Sequence, residues 1–240
     1  MSGWGQSFRS RYRRARDKIL GRTVLGRRRY TPAALGVEGF FRELRKRETH
    51  YAVLRWFDSL PHLDPGEDID MLVADADLAS VADLFARDGI PCDLYSVSGL
   101  PGSSQRGMPY FPPEAAERLL SRAVELQGLY RVPCPEDYFL SLAYHAVYHK
   151  GVRSGLPTSI SGLAPVSNPE HDYSGVLRTL AAGLGLPVAI DMESLDEHLG
   201  VSGWSPTPSM LKAIALRNAW AAARSDRPAP EGTLAVASSC

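Results

Sequence analysis

The chain has 240 residues, 44% of them hydrophobic and 22% charged, and no net charge. That composition carries one sizeable core and excludes collagen-like, coiled-coil and wholly disordered classes; no apolar run reaches the roughly 18 residues of a membrane span. Three scattered cysteines, Cys92, Cys134 and Cys240, argue against a disulfide scaffold or a zinc knuckle, and the arginine-rich N-terminus lacks the apolar region of a secretory signal, so a reducing cytoplasm is the expected setting.

Residues 1–35 read as a basic arm. The first 30 residues hold ten basic side chains and one acid, Asp17, so an acidic body must follow. Such an arm suits an anionic partner, whether nucleic acid, an anionic membrane surface or the protein's own body. Residues 36–48 predict an amphipathic helix with Phe40, Phe41 and Leu44 on one side. YAVLRWF (51–57) predicts a strand, and Ile69–Val73 a second one after a turn-rich linker. A helix over 77–88, with Asp77 as cap, leads to a third strand at 92–97.

A polar loop, 98–112, and the Pro112-Pro113 pair then open a helix to about Val124, which suits proline in a first helical turn. A short strand at Leu129–Val132, a strong helix at Pro135–Lys150, a Gly/Ser/Pro-rich loop and helices near 172–183 and 207–224 complete the chain. The fold class is therefore α+β, a small mixed β-sheet with packed helices and a helical C-terminal part. The expected units are the arm (1–35), a core (36–132), a helical region (133–224) and a loosely ordered tail (225–240), whose small residues end in Cys240.

Asp68 and Asp70 stand two apart at the start of an apolar strand, so their side chains share a face. Like charges placed together are costly unless a cation lies between them, and a hard ion such as Mg²⁺ takes carboxylate oxygens. Asp93, on the next strand, supplies a third acid. The alternative is two solvated strand-end residues, with Asp93 paired to an arginine.

The run YAVLRWFDSLPHLDPGEDIDMLVAD, a helix and then PCDLYSV resembles the nucleotidyltransferase superfamily of DNA polymerase beta type, over roughly residues 36–97. The resemblance implies a nucleotidyltransferase-like core, with Asp68, Asp70 and Asp93 as catalytic metal ligands for Mg²⁺ and a nucleoside triphosphate and an acceptor as substrates. The chain departs from the family where Gly-Gly or Gly-Ser usually follows the first strand. Leu54-Arg55-Trp56 stands there, and Arg55 would supply a charge-assisted phosphate contact in its place. Equally, that site has been lost and the fold serves as a non-catalytic binding or scaffold module.

His145 and His149, four apart with Lys150 next, share a helical face. The His-Glu-x-x-His zinc pattern is absent, which leaves core imidazoles or a substrate-binding group formed with Lys150 and Arg153. The loop GLPGSSQRG (99–107), carrying Arg106, reads as a lid, an acceptor-binding segment or a plain connection; it lacks the Walker ending. No Gly-x-Ser-x-Gly elbow supports nucleophilic catalysis. Two further readings are a basic-arm nucleic-acid or membrane-surface protein and a folded leader of a peptide precursor modified in the tail TLAVASSC.

Overall fold

A computed structural model describes residues 29–64, 66–105, 107–166 and 171–225. Most of the basic arm with its anionic partner, Arg106 and the tail with Cys240 lie outside the described residues.

Strands β1 (Arg29–Pro32), β2 (Tyr51–Val53), β3 (Ile69–Val73) and β4 (Gly89–Ser96) form one mixed sheet in the order β1-β4-β3-β2. β3 is parallel to β4, and the two outer pairings are antiparallel. A parallel pair needs a crossover, which here is a 3₁₀ turn (Asp75–Asp77) and the short helix α2 (Leu78–Ala82). The fold is α+β, as the sequence indicates, with a second sheet of two strands, β5 (Val124–Leu126) and β6 (Tyr130–Val132).

Helix α1 (Gly36–Lys46) buries Val37, Phe40, Phe41 and Leu44. Phe41 meets the Tyr51 ring at 5.5 Å and the Tyr130 ring at 5.1 Å, so this one side chain ties α1 to both sheets. All five residues of β3 are buried, as expected for a strand covered on both faces. Gly89 is required where β4 meets β1: its φ is +122°, and a Cβ there would stand 1.8 Å from the Thr31 carbonyl oxygen.

Helix α3 (Pro113–Ser121) packs on β2 and β3. The C-terminal part is helical: α4 (Pro135–Tyr144), α5 (Tyr173–Leu184), α6 (Met192–Val201), α7 (Pro208–Ala215) and α8 (Ala219–Ser225). Helix α4 runs on as a π-helical segment, His145–Lys150, then as a 3₁₀ turn, Gly151–Ser154. Asn218 closes that segment: its amide donates to the Val147 and Tyr148 carbonyls (2.8 and 2.9 Å), and its oxygen accepts from the backbone amides of Trp220 and Ala221 at the start of α8. Among the described residues, no helix is long and apolar enough to cross a membrane.

Several elements differ from expectation for local reasons. The strand at 51–57 stops at Val53 because Trp56 takes a left-handed backbone, φ +55°. The helix at 77–88 stops at Ala82 because the chain is drawn back to β1, where the Ala86 amide donates to the Tyr30 carbonyl at 2.9 Å. The helix at 207–224 is two helices, broken at the Asn218 cap. The edge strand β1 begins inside the segment read as the arm.

Candidate functional site

The site lies on one face of β3 and β4. Asp70 and Asp93 are register partners on these adjacent parallel strands, so their side chains leave the sheet side by side. Asp68 precedes Asp70 by two residues, and the charges of both Asp68 and Asp93 act on it. Burial, with these two acids adding repulsion, pushes the Asp70 carboxyl up to about 7, although Arg55 pulls it down. The three predicted acids thus gather in one electrostatic group. Among the described residues no three His, Cys, Asp or Glu side chains form a ready metal cage.

Arg55 enters this group directly. The Leu54 amide donates to the Asp70 carbonyl at 2.8 Å, which lays the chain alongside β3 just before it turns. The next residue, Arg55, places Nη2 2.7 Å from Asp70 Oδ1, with both side chains under 10% exposed. Burial works against the guanidinium's charge, yet Asp70 and the neighbouring tyrosines hold its pKa above the usual value. The Tyr95 hydroxyl donates to the same Asp70 oxygen at 3.1 Å.

A layer of tyrosines and histidines covers the pair. The Tyr110 ring stacks on Tyr95 at 3.9 Å and on His149 at 4.0 Å, and the Arg55 guanidinium lies 5.5 Å from its centre. The Tyr110 hydroxyl is hydrogen-bonded to His145 Nδ1, and His145 Nε2 meets the Tyr173 hydroxyl at 3.1 Å. His149 Nε2 faces the Tyr110 carbonyl oxygen at 2.9 Å and so donates its proton there. Burial, with Arg55 and Lys150 nearby, holds His145 well below its ordinary pKa. Burial likewise lowers His149 to about 3, against the Tyr110 carbonyl, which favours the charged form. Both imidazoles are therefore neutral at pH 7, and the layer couples helix and sheet through uncharged hydrogen bonds.

The predicted residues thus separate. Asp68, Asp70, Asp93, Arg55, His145 and His149 belong to one assembly. Lys150 is half-buried beside the histidines, whereas Arg153 is exposed on the 3₁₀ turn. The loop 99–107 is stitched to β4 at Leu94: the Ser104 amide donates to the Leu94 carbonyl at 2.6 Å, and the Leu94 amide donates to Ser104 Oγ at 3.0 Å. The Cys92 thiol is buried on the opposite face from Asp93, and burial pushes its pKa up.

Sequence reasoning missed Tyr95, Tyr110, Tyr173, Trp56 and His171. For Tyr95 a signal existed, since it follows Asp93 by two residues and must share its face. The others come from loops and a helix start, where no periodicity points to the sheet. Compared with known proteins, the chain matches no family model, no curated protein and no solved structure.

Proposed function

We propose that the protein is a metal-dependent nucleotidyltransferase-like enzyme, which transfers a nucleotidyl group from a nucleoside triphosphate to a hydroxyl acceptor. One observation carries this reading: Asp70 and Asp93 stand side by side on adjacent parallel strands, with Asp68 two residues upstream. Three carboxylates offer the hard oxygen donors that Mg²⁺ takes, and Asp68, Asp70 and Asp93 would hold it. Bound there, the ion would polarise the transferring phosphoryl group and lower the pKa of the attacking hydroxyl. Arg55 and Tyr95 both bind Oδ1 of Asp70 and so fix the plane of that carboxylate. Asp93 is the group placed to accept the acceptor's proton, and the tyrosine layer keeps water from the Arg55–Asp70 contact.

The test follows pyrophosphate release with Mg²⁺, a mixture of nucleoside triphosphates and a cell-extract acceptor pool. Asp70→Asn should lower turnover at least a thousandfold, about 4 kcal/mol of transition-state stabilisation, while the chain stays folded. Wild-type turnover in Asp70→Asn would refute the mechanism. A second reading, a non-catalytic module of the same fold, is favoured by the Arg55–Asp70 ion pair, since a guanidinium is already in contact with the carboxylate a metal would use. No pyrophosphate release by the wild type, and no Mg²⁺-dependent triphosphate binding in calorimetry, would decide for that module.

A further inference from the structure

Beside the carboxylates lies an aromatic stack that the transfer chemistry does not use. The Trp56 indole and the His171 imidazole are 4.3 Å apart and nearly coplanar, at 8°, while Tyr173 meets the indole edge-on at 5.5 Å. Both stacked rings are half-buried, so the pair is at the rim of the core rather than inside it. Two chain connections fix its place. Trp56 directly follows Arg55, which is on Asp70; His171 Nε2 lies 3.9 Å from Glu67, which directly precedes Asp68.

The backbone of Trp56 is unusual. A φ of +55° in a bulky residue is costly and persists only where the surroundings over-determine it, a situation that clusters at ligand-binding sites. Here the surroundings do so. The Tyr138 hydroxyl is hydrogen-bonded to the Trp56 backbone, and the adjacent Phe57 ring packs on Tyr138 at 4.7 Å. The sequence thus accepts strain to hold one large flat ring, half-exposed, next to the acidic group.

We infer that Trp56 is a stacking platform for the base of a nucleotide, and that a planar heterocycle takes the position His171 holds on the indole. An imidazole stacked at 8° is a small planar stand-in, and a purine or pyrimidine covers more of the ring. The choice of ligand class rests on the nucleotidyl-transfer reading; the platform itself rests on the stack and the strained backbone. Aromatic stacking tolerates every base, so this surface would supply affinity more than base selectivity.

The experiment titrates the full chain with adenosine, guanosine, cytidine and uridine, with neither phosphate nor metal present, while the His171 ring protons are followed by NMR. His171→Ala identifies those signals. Stacking on the indole shifts them upfield, so displacement by a nucleoside should move them back downfield. Trp56→Leu should weaken nucleoside binding on the order of tenfold or more. His171 signals that stay in place with all four nucleosides at millimolar concentration would overturn the inference, as would a Trp56→Leu chain that binds as tightly as wild type. Should Trp56→Leu fail to fold, His171→Ala decides: affinity equal to or tighter than wild type supports displacement, and loss of binding refutes it. Because the assay lacks phosphate and metal, it separates the two readings. A nucleoside response without pyrophosphate release sinks the transferase alone, and transfer without that response sinks the platform alone.

Discussion

The two faces of β3 solve the same problem in opposite ways. One face presents Ile69, Met71 and Val73, beside Tyr51 and Val53 of β2 and Cys92 and Leu94 of β4. It is closed by α1 through Phe41, an apolar contact that gains from exclusion of water alone. At its N-terminal end the other face presents Asp70 beside Asp93 and Tyr95, and it is equally buried at Asp70. There every polar atom must find a partner, because an unsatisfied one costs more than its hydrogen bond returns. Apolar burial tolerates many sequences, whereas polar burial requires particular residues at particular distances. A chain keeps the second kind of surface where it needs chemistry or specificity.

Three measurements would break or sharpen that contrast. The largest effect is expected on the apolar face. Phe41→Ala removes a fully buried ring that touches Tyr51 and Tyr130, and should cost about 3–5 kcal/mol in chemical denaturation. A loss under about 1 kcal/mol would mean that α1 is not the closure of the sheet. On the polar face, Tyr110→Phe keeps the stack on Tyr95 and His149 but deprives His145 Nδ1 of its partner. A buried orphan of this kind costs about 1–3 kcal/mol. An unchanged midpoint would show that the hydroxyl contributes nothing to the layer.

The smallest effect is a pH dependence. In the folded chain Asp70 keeps its proton up to about 7 and in the unfolded chain only to its ordinary value near 3.8, so Asp70 makes stability fall as pH rises through 7. His145 and His149 are held below their ordinary value of 6.5, so the unfolded chain takes up their protons first and stability falls as pH drops below 6.5. Between about 4 and 6.5 the two histidines outweigh the one aspartate. Melting temperature should therefore peak near neutrality, with its alkaline limb flattened in Asp70→Asn. A melting temperature that climbs steadily from pH 5 to 8 would mean that Asp70 is ionised throughout.

The apolar face was the legible one. The spacing of Phe40, Phe41 and Leu44 located α1, and the run at 69–73 located β3, because burial on a regular element leaves a period. The polar face was legible only in part. Asp68, Asp70 and Asp93 were readable from strand periodicity, and Arg55 was singled out only by where it falls in the chain. That Arg55 lies on Asp70 depends on the turn at Trp56, and nothing in a bulky tryptophan announces a positive φ. Tyr110 arrives from a loop, and His171 and Tyr173 from the approach to α5, so only the folded chain brings them to the histidines. Helix α6 went unread although Asp191 caps it through the Ser194 amide at 2.8 Å. Its apolar positions are too few to form a stripe.

The wide turn at His145–Lys150 has a consequence for which changes of length the molecule accepts. A π-helical segment holds more residues per turn than an α-helix, and such segments occur most often at functional sites. Deleting one residue there would let the helix tighten to 3.6 residues per turn and swing everything beyond it by about 100°. His149 would leave the Tyr110 ring. Gly151, where a Cβ would already stand 2.4 Å from Asn218 Oδ1, would no longer meet the residue that starts α8. The angular phase of the aromatic layer and the docking of the C-terminal helices are thus set by the same extra residue. A substitution here perturbs one contact, whereas a one-residue deletion dismantles both.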